Sequence, residues 1–137
     1  FVVVADHGNK IPRDRSYYSH YIRHIPMIIA GDVVKNIYKN KIVYSTGSHH
    51  DIASTLLHQL GLNADMFNWS NDLLNRKRNG FAYLCMDDAE GWVTDSCTFV
   101  YDLSNKKFIY KRPYYAIADT ISAKSYLQQL YKTFSNL

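Results

Sequence analysis

Phe1-Val2-Val3-Val4-Ala5-Asp6-His7-Gly8 opens the chain, and its reading decides the rest. An unbroken apolar run, rich in β-branched valine, stops at a polar turn. Such a run fits a strand covered on both faces, as in a parallel sheet. Along a strand, adjacent side chains point to opposite faces. Where the chain turns at the strand's C-terminal end, a neighbouring Asp and His can aim at one point, and Gly8 is expected to supply the backbone freedom for that turn. Ligands of parallel α/β sheets gather at the carboxyl ends of their strands. A carboxylate beside a neutral imidazole suits Zn²⁺ or Mn²⁺, so Asp6 and His7 are candidate metal ligands. The competing reading of the same residues is an Asp–His turn that holds nothing. A start inside an apolar strand, with no Met, is expected of a piece of a longer chain.

Outward from this strand, residues 6–20 read as a polar and basic loop punctuated by Gly8 and Pro12. Pro26–Ala30 and Lys41–Tyr44 are short apolar runs, each expected to be a strand. Asp51–Leu60 is the clearest helix. Asp51 suits the N-cap, Ile52, Ala53, Leu56, Leu57 and Leu60 share one face, and Gly61 follows as the residue that ends it. The character changes after Gly80. Phe81–Met86, Gly91–Thr94, Cys97–Asp102 and Lys107–Arg112 are aromatic and β-branched runs broken by turn-like residues, the pattern of an antiparallel meander. A last helix, from about Asp119 to Phe134, offers Ile121, Leu127, Leu130, Tyr131 and Phe134 to a core. The fold class expected is α/β: residues 1–76 in an α/β layer, residues 77–137 in a small antiparallel sheet with a C-terminal helix.

Composition sets the outer bounds. Hydrophobic residues make up 47% of the 137 and charged residues 20%, which excludes a disordered chain. No apolar run of about 18 residues occurs, so no transmembrane helix lies within these residues. The net charge of +4 is uneven. Seven Lys and Arg face three Asp in residues 1–50, while the remainder balances, so the excess surrounds the first loop. That placement suits an anionic substrate or headgroup, and equally an ordinary solvated basic face. Cys85 and Cys97 fit either a disulfide or two buried free thiols, and no zinc-ribbon spacing is present.

Four stretches carry a resemblance to a known family. VVVADHG (Val2–Gly8), HIPMIIAG (His24–Gly31), STGSHHDIASTLLHQLGL (Ser45–Leu62) and NDLL (Asn71–Leu74) stand in one order. In that order the alkaline phosphatase/sulfatase superfamily carries its metal-ligand strand, its next core strand, an S-x-x-D-[IL]-x-P-T-[IL]-L helix and a short segment after it. Over about residues 1–75 the chain resembles that superfamily, and within it the lipoteichoic acid synthase-like and phosphoglycerol transferase-like membrane enzymes. Ser54 stands where the family usually has Pro, a change that a helix's first turn accepts.

The resemblance implies the C-terminal portion of an alkaline phosphatase-like α/β/α sandwich. It implies that Asp6 and His7, with two groups upstream, hold a divalent metal: Mn²⁺ or Zn²⁺, or Ca²⁺ in a true sulfatase. The family's nucleophile also lies upstream, so this chain alone is expected to turn over no ester. His20 and His24 would bind the substrate phosphate, Lys10 and Arg13 a headgroup phosphate, and His49 a second metal or the substrate. Against each stands the plainer reading of a solvent-facing polar side chain. The implied partners are the upstream part of the same catalytic domain and an anionic lipid headgroup or phosphate or sulfate ester. Another copy, paired through an exposed sheet edge, is a further expected partner; nucleic acid is not. The implied setting is extracytoplasmic, with transmembrane anchors outside these residues. A phosphoglycerol-type transferase is expected first. The alternatives are a sulfuric ester hydrolase and, from another class, a noncatalytic binding or structural module.

Overall fold

The computed structural model describes residues 1–11, 14–75, 77–113 and 117–136. They form two compact units, Phe1–Phe81 and Ala82–Leu137, with the mixed α/β content expected.

In the first unit, β1 (Val2–Val4) pairs with β2 (Met27–Ile29) in a two-stranded sheet. The pairing is antiparallel, with Val2 opposite Ile29 and Val4 opposite Met27. Two bonds between Phe1 and Ala30, at 2.7 and 2.9 Å, extend the ladder by one rung. This corrects the expectation of a parallel, doubly covered strand: Val3 is 61% exposed and Ile28 59%. An apolar run reports the wish to be covered but not the direction of the neighbour. A parallel return needs a crossover, usually a helix of a dozen residues. The described residues between the strands hold only a 3-10 turn, His20–Arg23, so the chain comes back antiparallel. Lys41–Tyr44 is also corrected. It forms no strand, and Ile42 and Tyr44 are exposed.

The helix α1 (Asp51–Gln59) ends as read. Gly61 has φ of 72°, the Gly61 N–H donates to His58 O, and the Leu62 N–H donates to Leu57 O at 2.8 Å, the paired closure of a left-handed C-terminus. Its buried face is another correction. Asp51, Ser54, Thr55 and Gln59 are buried, whereas Leu60 is exposed. The reason is that this face receives irregular backbone, whose polar groups need partners. The Ser54 N–H donates to Ser70 Oγ and the Ser54 hydroxyl to Ser70 O, both at 2.9 Å. Thr55 Oγ1 donates to Asp51 O and accepts from the Leu73 N–H. Gln59 Oε1 accepts from the Lys35 N–H. Asp51 does not act as a simple N-cap. Its buried carboxylate accepts the Ser48 N–H at 2.9 Å and the Asn71 N–H at 2.8 Å, tying two loops to the start of the helix.

The second unit matches its reading more closely. Strands β3 (Phe81–Cys85), β4 (Ala89–Thr94), β5 (Thr98–Asp102) and β6 (Lys107–Arg112) form a meander in that order. Asp102 starts the last turn by accepting from the Asn105 N–H and the Asn105 Nδ2, both at 2.7 Å. Those bonds stabilise the carboxylate and hold the Asp102 pKa below its usual range. The core is Met86, Ala89, Trp92, Cys97, Phe99, Val100 and Ala123. Cys85 is exposed and Cys97 buried, and both are free thiols.

The helix α2 (Ile117–Ser135) docks through small Ala123, only 1% exposed, and through Tyr126, whose ring lies 5.3 Å from Tyr83 and 5.9 Å from Trp92. Of the stripe expected to dock, only Leu127 is half-buried. Ile121, Leu130, Tyr131 and Phe134 are exposed.

Candidate functional site

At the end of β1, Asp6 and His7 both face solvent, with side chains 88% and 79% exposed. Local bonds draw them together. Asp6 Oδ1 accepts the His7 N–H at 2.9 Å, and His7 Nδ1 meets the Gly8 carbonyl at 2.8 Å. A carbonyl only accepts, so Nδ1 is the donor in that bond, and in a neutral imidazole Nε2 then keeps its lone pair. That nitrogen stands 3.7 Å from Asp6 Oδ2. A metal-ligating imidazole commonly has this arrangement, with the far nitrogen tied to a backbone carbonyl. The two donors therefore fit a divalent ion. Among the described residues no cluster of three or more His, Cys, Asp or Glu side chains is assembled for one.

Gly8 is needed for space rather than for conformational freedom. A Cβ there would fall 2.1 Å from the Ile22 carbonyl oxygen, so the loop lies directly on the 3-10 turn. That contact places the Asp6–Gly8 loop beside the segment that carries His20. From the other side, His49 Nε2 donates to the Ala5 carbonyl at 2.8 Å. His49 is thus brought to the base of the loop, where it anchors backbone through Nε2.

His20 stacks on Tyr21, ring centroids 4.0 Å apart. Its pKa is lowered, first by burial, then by the neighbouring positive charges of His24 and Arg15. His24 is exposed, just past the 3-10 turn, and Lys10 is exposed on the loop. Arg13 lies outside the described residues.

Arg15, Tyr17, Tyr21 and Arg23 were not singled out from sequence. Arg15 lies over Tyr21 and Arg23 over Tyr17, each with Cζ 4.9 Å from the ring centroid. Arg23 also donates to the Tyr17 carbonyl at 2.6 Å. The signal in the sequence was the interleaving of Arg and Tyr from Arg15 to Arg23, which puts cations within reach of aromatic faces. A separate open cleft of about 370 Å³ beside α1, lined in part by Ser54, His58, Asp65 and Phe67, contains none of the sequence-predicted residues.

No helix among the described residues is long and apolar enough to cross a membrane. Compared with known proteins, the chain matches no family model, no curated protein and no solved structure.

Proposed function

We propose that this chain is part of a metal-dependent enzyme acting on phosphate or sulfate esters, in the manner of a phosphoglycerol-type transferase. The observation that carries the reading is the pair Asp6 and His7, solvent-facing after an apolar strand, with His7 Nε2 left as the free nitrogen by the Gly8 carbonyl. Asp6 and His7 would hold Mn²⁺ or Zn²⁺ together with donors from an upstream part of the same catalytic domain. The metal, when bound, lowers the pKa of a nucleophile and neutralises an ester oxygen. The chain's own residues have other tasks. Gly8 keeps the loop close to the 3-10 turn, and His49 fixes its base. His20 and His24 present hydrogen-bond donors to non-bridging oxygens where charge develops. The nucleophile comes from the upstream part, and the reading carries an extracytoplasmic setting with an anionic lipid headgroup among its substrates.

The test uses Mn²⁺ alone. Added to the chain at millimolar concentration, it should broaden the His7 and Asp6 NMR signals selectively. The affinity should be weak, because two donors are fewer than a tight site employs. Asp6→Ala should abolish the effect. Unbroadened His7 signals in the wild-type chain would remove the basis of the reading.

A further inference from the structure

We propose that Arg15 is an anion-recognition residue, seated on the Tyr21 ring beside His20 so that its guanidinium takes a phosphate or sulfate oxygen of the substrate. The argument starts from what holds the side chain. Its Cζ lies 4.9 Å from the centroid of the Tyr21 ring, and the His20 ring lies 4.0 Å from the same ring. One aromatic side chain therefore gathers a permanent cation and an imidazole. Stacking fixes the plane of a guanidinium and leaves its edge, with its N–H donors, for hydrogen bonding. A planar fork of this kind matches a phosphate or sulfate oxygen pair.

The charge balance points the same way. Among the described residues Arg78 pairs with Asp51, close His–Asp contacts join His7 to Asp6, His50 to Asp51 and His58 to Asp72, and none of these includes Arg15. Arg15 and His24 are also close enough to depress the pKa of His20, so the three groups share one electropositive neighbourhood. Positive groups gathered together repel each other, and an anion relieves that repulsion. Arg23, also stacked on a tyrosine, differs in that one of its donors is already given to the Tyr17 carbonyl. Of these two described arginines, Arg15 is the one better set to meet a ligand.

This inference rests on the ester reading for its place in turnover, but the binding itself needs no metal. That allows the two to fail separately. The full chain, free of metal, is titrated with inorganic phosphate, with glycerol phosphate, and with phosphatidylglycerol or phosphatidylcholine vesicles. The Arg15 Nε–H and the His20 and His24 ring signals are followed. Saturable shifts are expected with both soluble phosphates, weakening as salt rises. Arg15→Gln should reduce the phosphate affinity by about fivefold or more, as loss of a charge-assisted bond does. Arg23→Gln should leave it unchanged.

A response to phosphatidylglycerol vesicles beyond that to glycerol phosphate would place the anion on a lipid. An equal response would place it on a soluble ester, and either supports the assignment. Equal affinity in wild type and Arg15→Gln, or the same shifts with chloride, would overturn it. Phosphate binding that persists while Mn²⁺ leaves His7 unbroadened would sink the metal reading and keep Arg15. The reverse pattern would do the opposite.

Discussion

Asp51→Asn changes one oxygen to an amide in a side chain that is 1% exposed, and the structure fixes the consequence. Oδ1 accepts the Asn71 N–H at 2.8 Å and the Asn71 Nδ2 at 3.3 Å. Oδ2 accepts the Ser48 N–H at 2.9 Å and faces Arg78 Nη2 at 3.5 Å. An amide keeps one acceptor oxygen, so in either orientation its NH₂ group points at a backbone N–H. A buried donor left without its acceptor costs about 1–3 kcal/mol. Arg78 adds to this. It is 9% exposed, its Nη1 is buried without a hydrogen-bond partner, and Asp51 is its counter-charge. Breaking a buried pair costs about 3–5 kcal/mol, less here because 3.5 Å is long and because neighbouring losses do not add. About 3 kcal/mol is expected, a large share of the 5–15 kcal/mol typical of a domain. Urea denaturation should show it, and hydrogen exchange should locate it: peptides covering residues 47–78 lose protection. A change below about 1 kcal/mol would refute the view that this carboxylate organises the first unit.

Two further outcomes are expected. In the second unit, Ala123→Asp should destabilise by several kcal/mol, because Ala123 is 1% exposed, whereas Leu130→Asp at a 39% exposed position should stay within about 1 kcal/mol; thermal melting of the two variants checks the contrast. In the first unit, His20 has a folded pKa below its ordinary 6.5, so the unfolded chain takes up its proton first. The His20 contribution to stability is therefore full above about pH 6.5 and declines as pH falls toward the folded value. Urea midpoints measured near neutrality and near pH 5 should separate more in wild type than in His20→Gln.

How much could be read in advance depends on which signal was local. The meander was legible because its turns announce themselves: Asp102 and Asn105 close one by side-chain bonds that need no distant partner. The end of α1 was legible for the same reason, since Gly61 alone supplies the left-handed residue. The direction of β1 was not, because an apolar strand looks alike whichever way its neighbour runs. The buried face of α1 was also hidden. Ser54, Thr55 and Gln59 look like a solvent face until the loops that they bind are placed against them. In α2 the apolar stripe was legible, but periodicity does not say which of its turns meet a partner: Ala123 is buried while Leu130 and Phe134 are exposed.

The candidate site divides along the same line. Asp6 and His7 are adjacent in sequence, so a turn suffices to bring them together, and reading alone could nominate them. His49 reaches the same loop from 44 residues away, through the Ala5 carbonyl. Only tertiary placement shows that its contact is with backbone. Gly8 carries the clearest lesson. A glycine after a strand suggests a need for unusual dihedrals, yet the positive-φ glycines of the described residues are Gly31 and Gly61, and Gly8 is not one of them. What Gly8 provides is closeness, a backbone-to-backbone approach to Ile22 that any side chain would prevent. That approach couples the Asp6–His7 pair to the segment that carries His20 and Arg15. A substitution at Gly8 is therefore expected to disturb the proposed metal and anion sites together, while leaving Asp6, His7, His20 and Arg15 in the chain.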